Sequence, residues 1–160
     1  MKLERLAVMT KVMRKGMSLR EFFEEAVRCN VPGLPFVDEH NHIVGRVSIR
    51  DVFKRIAVPS SYLRVVDAMG DQTDRLDMSE QRILNRLARP VETYLLENIP
   101  TVSPASSLIK ALAIMEAYNT HYIFLIEDGA YMGVVTRMVI ANRLLDWLDE
   151  IDRGISIPDA

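Results

Sequence analysis

Apolar and polar residues follow the same order twice along the chain. Ser18-Leu19 opens a helical pattern, and Ser107-Leu108 opens a second one 89 residues later. After the next turn the offset is 88 residues, so that Gly45-Arg46-Val47-Ser48 corresponds to Gly133-Val134-Val135-Thr136. A one-residue deletion in a hairpin loop explains the change of offset. The sequence therefore predicts two copies of one structural unit.

The first copy begins with an amphipathic helix. Ser18, followed by Glu21 three residues later, has the pattern of a capping box at a helix start. Apolar residues then recur at helical spacing, whereas Glu24, Glu25 and Arg28 are expected to point away from the core. The apolar positions are Leu19, Phe22, Phe23, Ala26 and Val27.

A hairpin and a second helix complete each copy. In the first copy, β-type runs at 34–37 and 43–47 flank a polar loop, and Ser48 is expected to cap the helix that follows. The second copy repeats the order, with strands expected at 101–102, 123–126 and 132–135. Each copy is thus short strand, helix, hairpin and helix, which predicts an α/β fold of the α+β type.

The repeat also sets the domain boundaries. We assign residues 1–57 to the first unit, 58–89 to an inserted helical connector, 90–153 to the second unit and 154–160 to a C-terminal tail. The region between the copies is too apolar and periodic for a flexible linker. A helix starting at Pro90 is expected to carry Tyr94, Leu95 and Leu96.

Composition narrows the function classes. With 160 residues, 49% of them hydrophobic, the chain can bury a sizeable core, and a net charge of −2 leaves no excess of cations for a nucleic acid. The only cysteine, Cys29, excludes an internal disulfide. No apolar run approaches the ~20 residues that span a bilayer, and the charged start is unlike a signal peptide. We therefore expect a cytoplasmic protein with neither a membrane nor a nucleic acid as partner.

The doubled order of elements resembles the CBS domain, named for cystathionine β-synthase. Gly45-Arg46-Val47-Ser48-Ile49-Arg50-Asp51 closes the first copy in the manner of that family, and the second copy is similar through Gly133-Val134-Val135-Thr136. The resemblance covers roughly residues 5–57 and 90–150. It implies a tandem pair whose two sheets pack about a pseudo-twofold axis, a flat homodimer, and clefts that bind AMP, ADP, ATP or S-adenosylmethionine.

The start of the second helix has chemistry that suits a nucleotide. A helix N-terminus offers backbone N–H groups to a phosphate, and a carboxylate beside it can accept hydrogen bonds from both ribose hydroxyls. By resemblance, Asp51 would hold the ribose and Ser48 the phosphate, with Arg50 or Arg46 as its charge partner. The same Ser-x-x-Asp pattern is also that of an ordinary helix start.

An adenine ring would need an apolar slot with backbone groups at its edge. By resemblance, five strand residues occupy the positions that build this slot, and plain core packing is the alternative role for them. They are Val12, Met13, Leu34, Pro35 and Phe36.

The second copy departs from the nucleotide-binding pattern. Val139 stands where the first copy has Asp51, and an apolar side chain would leave ribose hydroxyls unpaired. We therefore predict a weak or empty second site, in which Thr136 acts chiefly as a helix cap. Arg137 and His121 can reach a phosphate from this side, with solvated surface as the alternative role.

The remaining polar and reactive residues do not form a pattern typical of a metal site or a catalytic site. His40 and His42 stand beside Asp38 and Glu39 in the hairpin loop, an arrangement that favours a polar turn over a metal site. Cys29 has no evident basic activator, and no Ser/His/Asp arrangement is present in the pattern, so the sequence predicts no enzyme.

The sequence thus predicts a regulatory CBS-pair module that binds an adenosine-containing ligand and signals through its shape or its association, with an unidentified protein client. The alternative is a structural dimerisation or adaptor protein whose clefts are filled by its own side chains. The choice of nucleotide, the client and the role of residues 58–98 stay open.

Overall fold

Two similar units build the structure, a computed structural model that describes residues 2–56 and 80–154, with Val58, Arg64, Val65 and Ala68 between them. The first unit contains α1 (Leu19–Cys29), β1 (Gly33–Val37), β2 (Ile43–Ser48) and α2 (Ile49–Ile56). Helix α3 (Glu80–Leu87) precedes the second unit. That unit contains β3 (Thr101–Val102), α4 (Leu108–Ala117), β4 (Tyr122–Glu127), β5 (Ala130–Thr136) and α5 (Arg137–Asp152). Short 3-10 helices span Leu3–Leu6 and Val91–Tyr94.

Local signals at the helix ends explain why both units form. Ser18 and Glu21 make the expected capping box at α1, and the Ser107 side chain accepts from the N–H of Lys110 at α4. Asn30 and Asn119 follow these helices with φ angles of 53° and 47°, a left-handed conformation that asparagine tolerates. These equivalent caps and turns confirm the predicted repeat.

Each unit lends its leading segment to the sheet of the other unit. Val8 pairs antiparallel with Val134 in β5, and Leu96 pairs in the same way with Arg46 in β2. On the opposite edge, Met13 pairs parallel with Phe36, as β3 does with β4. The exchange gives both sheets the same strand order and relates the units by a pseudo-twofold axis.

The hydrophobic core follows this exchange. One cluster combines residues of both units, among them Phe22 and Val47 from the first and Phe124 and Val134 from the second, all fully buried. A second cluster packs the N-terminal 3-10 helix against the second unit. Because the larger cluster is shared, the two units stabilise each other and hold the surface between them in a fixed arrangement.

Three local predictions were wrong. Glu25, expected to point outward, is only 3% exposed, whereas Val27, expected on the buried face, is 72% exposed. The reason for Glu25 is a set of polar partners inside the molecule, described below. Leu95 and Leu96 are not helical, since the 3-10 helix ends at Tyr94 and the chain then extends to pair with β2.

The connector and the tail are described only in part. Helix α3 agrees with the helical connector that the sequence predicts. The other predicted connector structure lies largely outside the described residues, as do residues 155–160 of the tail. None of the helices in the described part of the chain is long and apolar enough to cross a membrane.

Candidate functional site

A cavity of about 190 Å³ lies between the two units. Four of the predicted site residues line it together, all from the end of β2 and the start of α2: Arg46, Ser48, Arg50 and Asp51. The opposite wall comes from the turn between α4 and β4 and from the segment that precedes β3. This wall comprises Leu96, Asn98, Tyr118, Asn119, Thr120, His121 and Tyr122, with Pro32 at its border.

The start of α2 presents a serine and a carboxylate to the cavity. Ser48 is buried, and its hydroxyl accepts from the backbone N–H of Asp51 at 3.4 Å. The N–H of Ile49 donates to the carbonyl oxygen of Pro32 at 2.9 Å. Two of the first three N–H groups of the helix are therefore already used, so an anion in the cavity would depend mainly on side chains. Asp51 is half-buried and supplies two acceptor oxygens beside Ser48.

Arg46 crosses from the first unit to the second. It is 5% exposed, and its Nε donates to the carbonyl oxygen of Asn98 at 2.7 Å. Its Nη1 donates to the hydroxyl oxygens of Tyr122 at 2.8 Å and Thr120 at 3.3 Å. The guanidinium carbon also lies 5.4 Å from the centroid of the Tyr122 ring. Arg46 therefore connects the two walls of the cavity through buried hydrogen bonds.

Two further basic residues stand at the cavity. Arg50 is exposed, and its Nη1 donates to the carbonyl oxygen of Asn119 at 3.2 Å. His121 lies on the opposite wall and is exposed. Burial raises the pKa of the Tyr122 phenol, so this hydroxyl is neutral at physiological pH and is an acceptor for Arg46.

The structure does not bring the predicted adenine-slot residues into this cavity. Met13, Leu34 and Phe36 belong to the shared hydrophobic core, because the pairing of Met13 with Phe36 holds both against α1. Pro35 is buried in β1, and Val12 is half-buried in the segment beside it. Phe36 also borders a separate surface groove near the hairpin loop.

Sequence reasoning missed the wall that the second unit contributes. Its residues lie around Asn119, and the signal that could have found them was the repeat itself. Asn119 corresponds to Asn30, and a pseudo-twofold arrangement brings the turn after the first helix of one unit near the second helix of the other.

The equivalent region of the second unit differs in its chemistry. The Thr136 hydroxyl accepts from the N–H of Val139 at 3.1 Å, and the Val139 side chain packs against the second core cluster. Arg137 is paired with Glu116 at 2.6 Å. Thr136 and His121 border a groove of about 390 Å³ whose described lining contains no carboxylate. Ribose hydroxyls would find no acidic acceptor there.

The polar hairpin loop is organised by hydrogen bonds to Asp38. One carboxylate oxygen of Asp38 accepts from the backbone N–H groups of His40 and His42, at 2.8 and 2.9 Å. These bonds, the one from His42 above all, lower the pKa of Asp38. Across the described ranges, no cluster of three or more His, Cys, Asp or Glu residues is placed to hold a metal ion.

The buried Glu25 lies outside the cavity and ties α1 to the N-terminal segment. It accepts from the backbone N–H of Lys11 at 2.7 Å and from two nitrogens of Arg28 at 2.6 and 2.9 Å. These bonds, with that from Arg28 the largest, lower the pKa of Glu25 to about 2. The Cys29 thiol donates to the same carboxylate at 3.3 Å, and burial raises the pKa of Cys29, the opposite of an activated nucleophile.

The chain is similar to one known protein family. The family model of the CBS domain matches two segments of the chain, residues 7–58 and 91–146. No curated protein sequence matches the chain.

Several solved structures share the fold over nearly the whole chain. A candidate acetoin utilization protein (AcuB) from Vibrio cholerae is 14% identical with a TM-score of 0.65, over 99% of this chain and 98% of that one. A CBS domain-containing protein from Bacillus anthracis is 18% identical, with a TM-score of 0.62 over 91% and 94% of the two chains. The CBS domain pair of protein MJ0100, solved with 5'-methylthioadenosine and S-adenosyl-L-methionine, is 16% identical, with a TM-score of 0.61 over 91% and 97%.

Proposed function

Because the chain belongs to the CBS domain family and carries the domain twice, we propose that it is a regulatory module that binds an adenosine-containing ligand in the cavity beside Asp51. The candidate ligands are AMP, ADP, ATP and S-adenosylmethionine. The observation that carries the proposal is the meeting of Ser48, Asp51, Arg46 and Arg50 in one cavity between the units. No catalytic step is part of this proposal.

Each side chain has a distinct part in the proposed complex. Asp51 accepts hydrogen bonds from the two ribose hydroxyls, because a half-buried carboxylate offers two oxygens at the right separation for a vicinal diol. Ser48 and the cations beside it contact the phosphate. The base needs apolar contact, which within the cavity comes from Leu96 and Tyr118.

The size of the cavity fits part of such a ligand. Its volume of about 190 Å³ is below the roughly 300–1,000 Å³ of pockets that enclose a whole drug-sized molecule. The ribose and one phosphate would therefore be enclosed, while the base would be enclosed only in part. The complex of protein MJ0100 with 5'-methylthioadenosine and S-adenosyl-L-methionine supports an adenosine-type ligand for this fold.

We propose residues 1–57 and 90–153 as the boundaries of the two units. The signal would be a change in how these units pack against each other. Because both units line the cavity, a ligand contacts both and favours the arrangement that it binds best. Differential binding of 1–3 kcal/mol is typical of allosteric coupling. The output would pass to a protein client or to the association of the chain with itself.

The decisive experiment is the thermal midpoint of the nucleotide-free protein with each of the four candidate ligands. At 100 times its dissociation constant, a ligand stabilises by about 2.7 kcal/mol, which raises the midpoint by roughly 5–10 °C for a chain of this size. Asp51→Ala should abolish the shift. Glu21→Ala is the matched control, because Glu21 is also the third residue of a capped helix but is exposed and remote from the cavity.

The control separates ligand binding from helix capping. Glu21→Ala should lower the free energy of unfolding by about 1 kcal/mol, because a cap is lost. The midpoint of the free protein should therefore fall, yet the full ligand response should remain. If none of the four ligands shifts the wild-type midpoint, the proposal fails.

A second candidate function is favoured by the apolar face of α5. Leu144, Leu145, Leu148 and Ile151 are between 45% and 61% exposed and recur at helical spacing. Such a face is typical of a surface that another chain covers. We propose that it forms a homodimer interface, and a ligand-free dimerisation protein is the alternative to the sensor.

The association of the chain tests this interface directly. The double variant Leu145→Glu and Leu148→Glu should convert a dimer to a monomer in size-exclusion chromatography with light scattering, because it would bury four charges in the two-chain interface. Val44→Glu, an exposed apolar position on β2, is the control and should leave the mass unchanged. A wild-type protein with the mass of a single chain would contradict the interface.

A further inference from the structure

The described side chains that line the cavity between the two units carry more positive than negative charge. Arg46 and Arg50 line it, while the corresponding positions of the second unit hold Val134 and Met138. Asp51 is the one carboxylate among the described residues of the lining. These two arginines therefore do not belong to the structural repeat.

Within the described ranges, the hydrogen-bond partners of Arg46 are all neutral groups. Its hydrogen bonds go to a backbone carbonyl, an asparagine side chain and two hydroxyls. In the part of the chain that the structure describes, it forms no ion pair with a carboxylate. Buried charges in proteins are ordinarily paired, because their transfer from water is otherwise unfavourable. A negative charge brought into this cavity would therefore be strongly favoured.

Arg50 is placed to contact a negatively charged group in the cavity. It is exposed at the cavity, where Asn119 is the one hydrogen-bond partner of its guanidinium among the described residues, through a carbonyl oxygen at 3.2 Å. A phosphate oxygen forms a shorter and stronger, charge-assisted hydrogen bond than a neutral carbonyl does. Exchange of that partner for a phosphate would let Arg50 close over the ligand.

We infer that the cavity selects a nucleoside phosphate, such as AMP, over adenosine-type ligands that lack a phosphate. The inference rests on the proposed function and divides its candidate ligands. S-adenosylmethionine carries a sulfonium and an ammonium against a single carboxylate, and Arg46 and Arg50 disfavour this net positive charge relative to a phosphate. 5'-Methylthioadenosine and adenosine are uncharged and would gain nothing from either arginine.

Isothermal titration of the wild-type protein with AMP, adenosine and S-adenosylmethionine tests the inference. AMP should bind about 10- to 100-fold more tightly than adenosine, the range that one or two hydrogen bonds to a charged group supply. Arg50→Met should remove most of this preference without loss of folding, because Arg50 is exposed. Arg46→Met should do the same where it folds. Arg20→Met, which changes an exposed arginine of α1, is the control and should leave the preference intact.

The outcomes separate this inference from the proposed function. AMP binding that depends on Arg50 and Asp51 supports both. Equal affinity for AMP and adenosine, or tighter binding of S-adenosylmethionine, overturns the phosphate selectivity and leaves the adenosine site in place. A protein that binds none of the three contradicts both the inference and the proposed function.

Discussion

Replacement of Gly33 by valine is expected to lower the free energy of unfolding by about 4 kcal/mol. A Cβ atom at Gly33 would lie 2.3 Å from the ring carbon of Tyr122 that carries the hydroxyl, and the ring is buried among the shared core residues. Overpacking of this kind costs roughly 1–3 kcal/mol or more. A displaced ring would also lose its hydrogen bond to Arg46, which adds about 1.5–3 kcal/mol.

The pseudo-twofold arrangement explains why a glycine is needed at position 33. Gly33 and Tyr122 occupy equivalent first positions of β1 and β4, and they face each other across the two units. Two tyrosines could not both fit at such a place. The first unit therefore has no side chain here, and the tyrosine of the second unit fills the space and holds Arg46.

Urea unfolding measures the effect, and a double variant tests the cause. Tyr122→Ala opens the space that a side chain at position 33 needs. Gly33→Val should therefore cost at least 1 kcal/mol less in the Tyr122→Ala background than in the wild type. If the two changes are simply additive, the contact between these residues is not the cause.

The sequence predicted the order of elements because the repeat doubles every local signal. The Ser18 capping box, the Asp128-Gly129 turn with both φ angles positive, and the hairpins are all set by neighbouring residues. The exchange of leading segments was beyond such reasoning. Leu96 pairs with Arg46, 50 positions away, and local periodicity instead favoured a helix at Leu96.

In the candidate site, too, the sequence predicted what neighbouring residues set and missed what the packing of the units sets. Arg46, Ser48, Arg50 and Asp51 are close together on the chain, so one motif brings them to one wall. The other wall lies about 70 residues later, as the separation between Arg50 and Asn119 shows, and its contribution depends on how the units pack. The predicted slot residues lie apart from this cavity, and their pattern could not decide their role, because an apolar strand residue has the same pattern whether it lines a cleft or fills a core.

Glu25 illustrates what composition patterns do not detect. On a helical wheel it belongs with Glu24 and Arg28, yet it is buried. The difference arises because the backbone N–H of Lys11 lies within reach, a contact between segments that have no local relation. A buried carboxylate with three hydrogen bonds from N–H donors contributes to stability, which leads to a pH-dependent prediction.

Glu25→Gln is expected to destabilise the protein by about 2–3 kcal/mol at pH 7. The folded-state pKa of Glu25 is about 2, below its usual value of 4.5, so the folded state binds this proton more weakly than the unfolded state. The contribution is therefore fully present above pH 4.5 and declines as the pH falls toward 2. The difference between wild type and variant should shrink over the same range.

Urea unfolding at pH 7, 4 and 2.5 measures this difference, with Glu24→Gln as the matched control. Glu24 is the adjacent acid on α1 and is exposed, and it pairs with Arg20 on the surface. Its removal should cost less than about 1 kcal/mol at any pH, because exposed ion pairs are weak. A Glu25→Gln effect of that same small size, or one that does not decline with pH, would show that the carboxylate is not what fixes the N-terminal segment to α1.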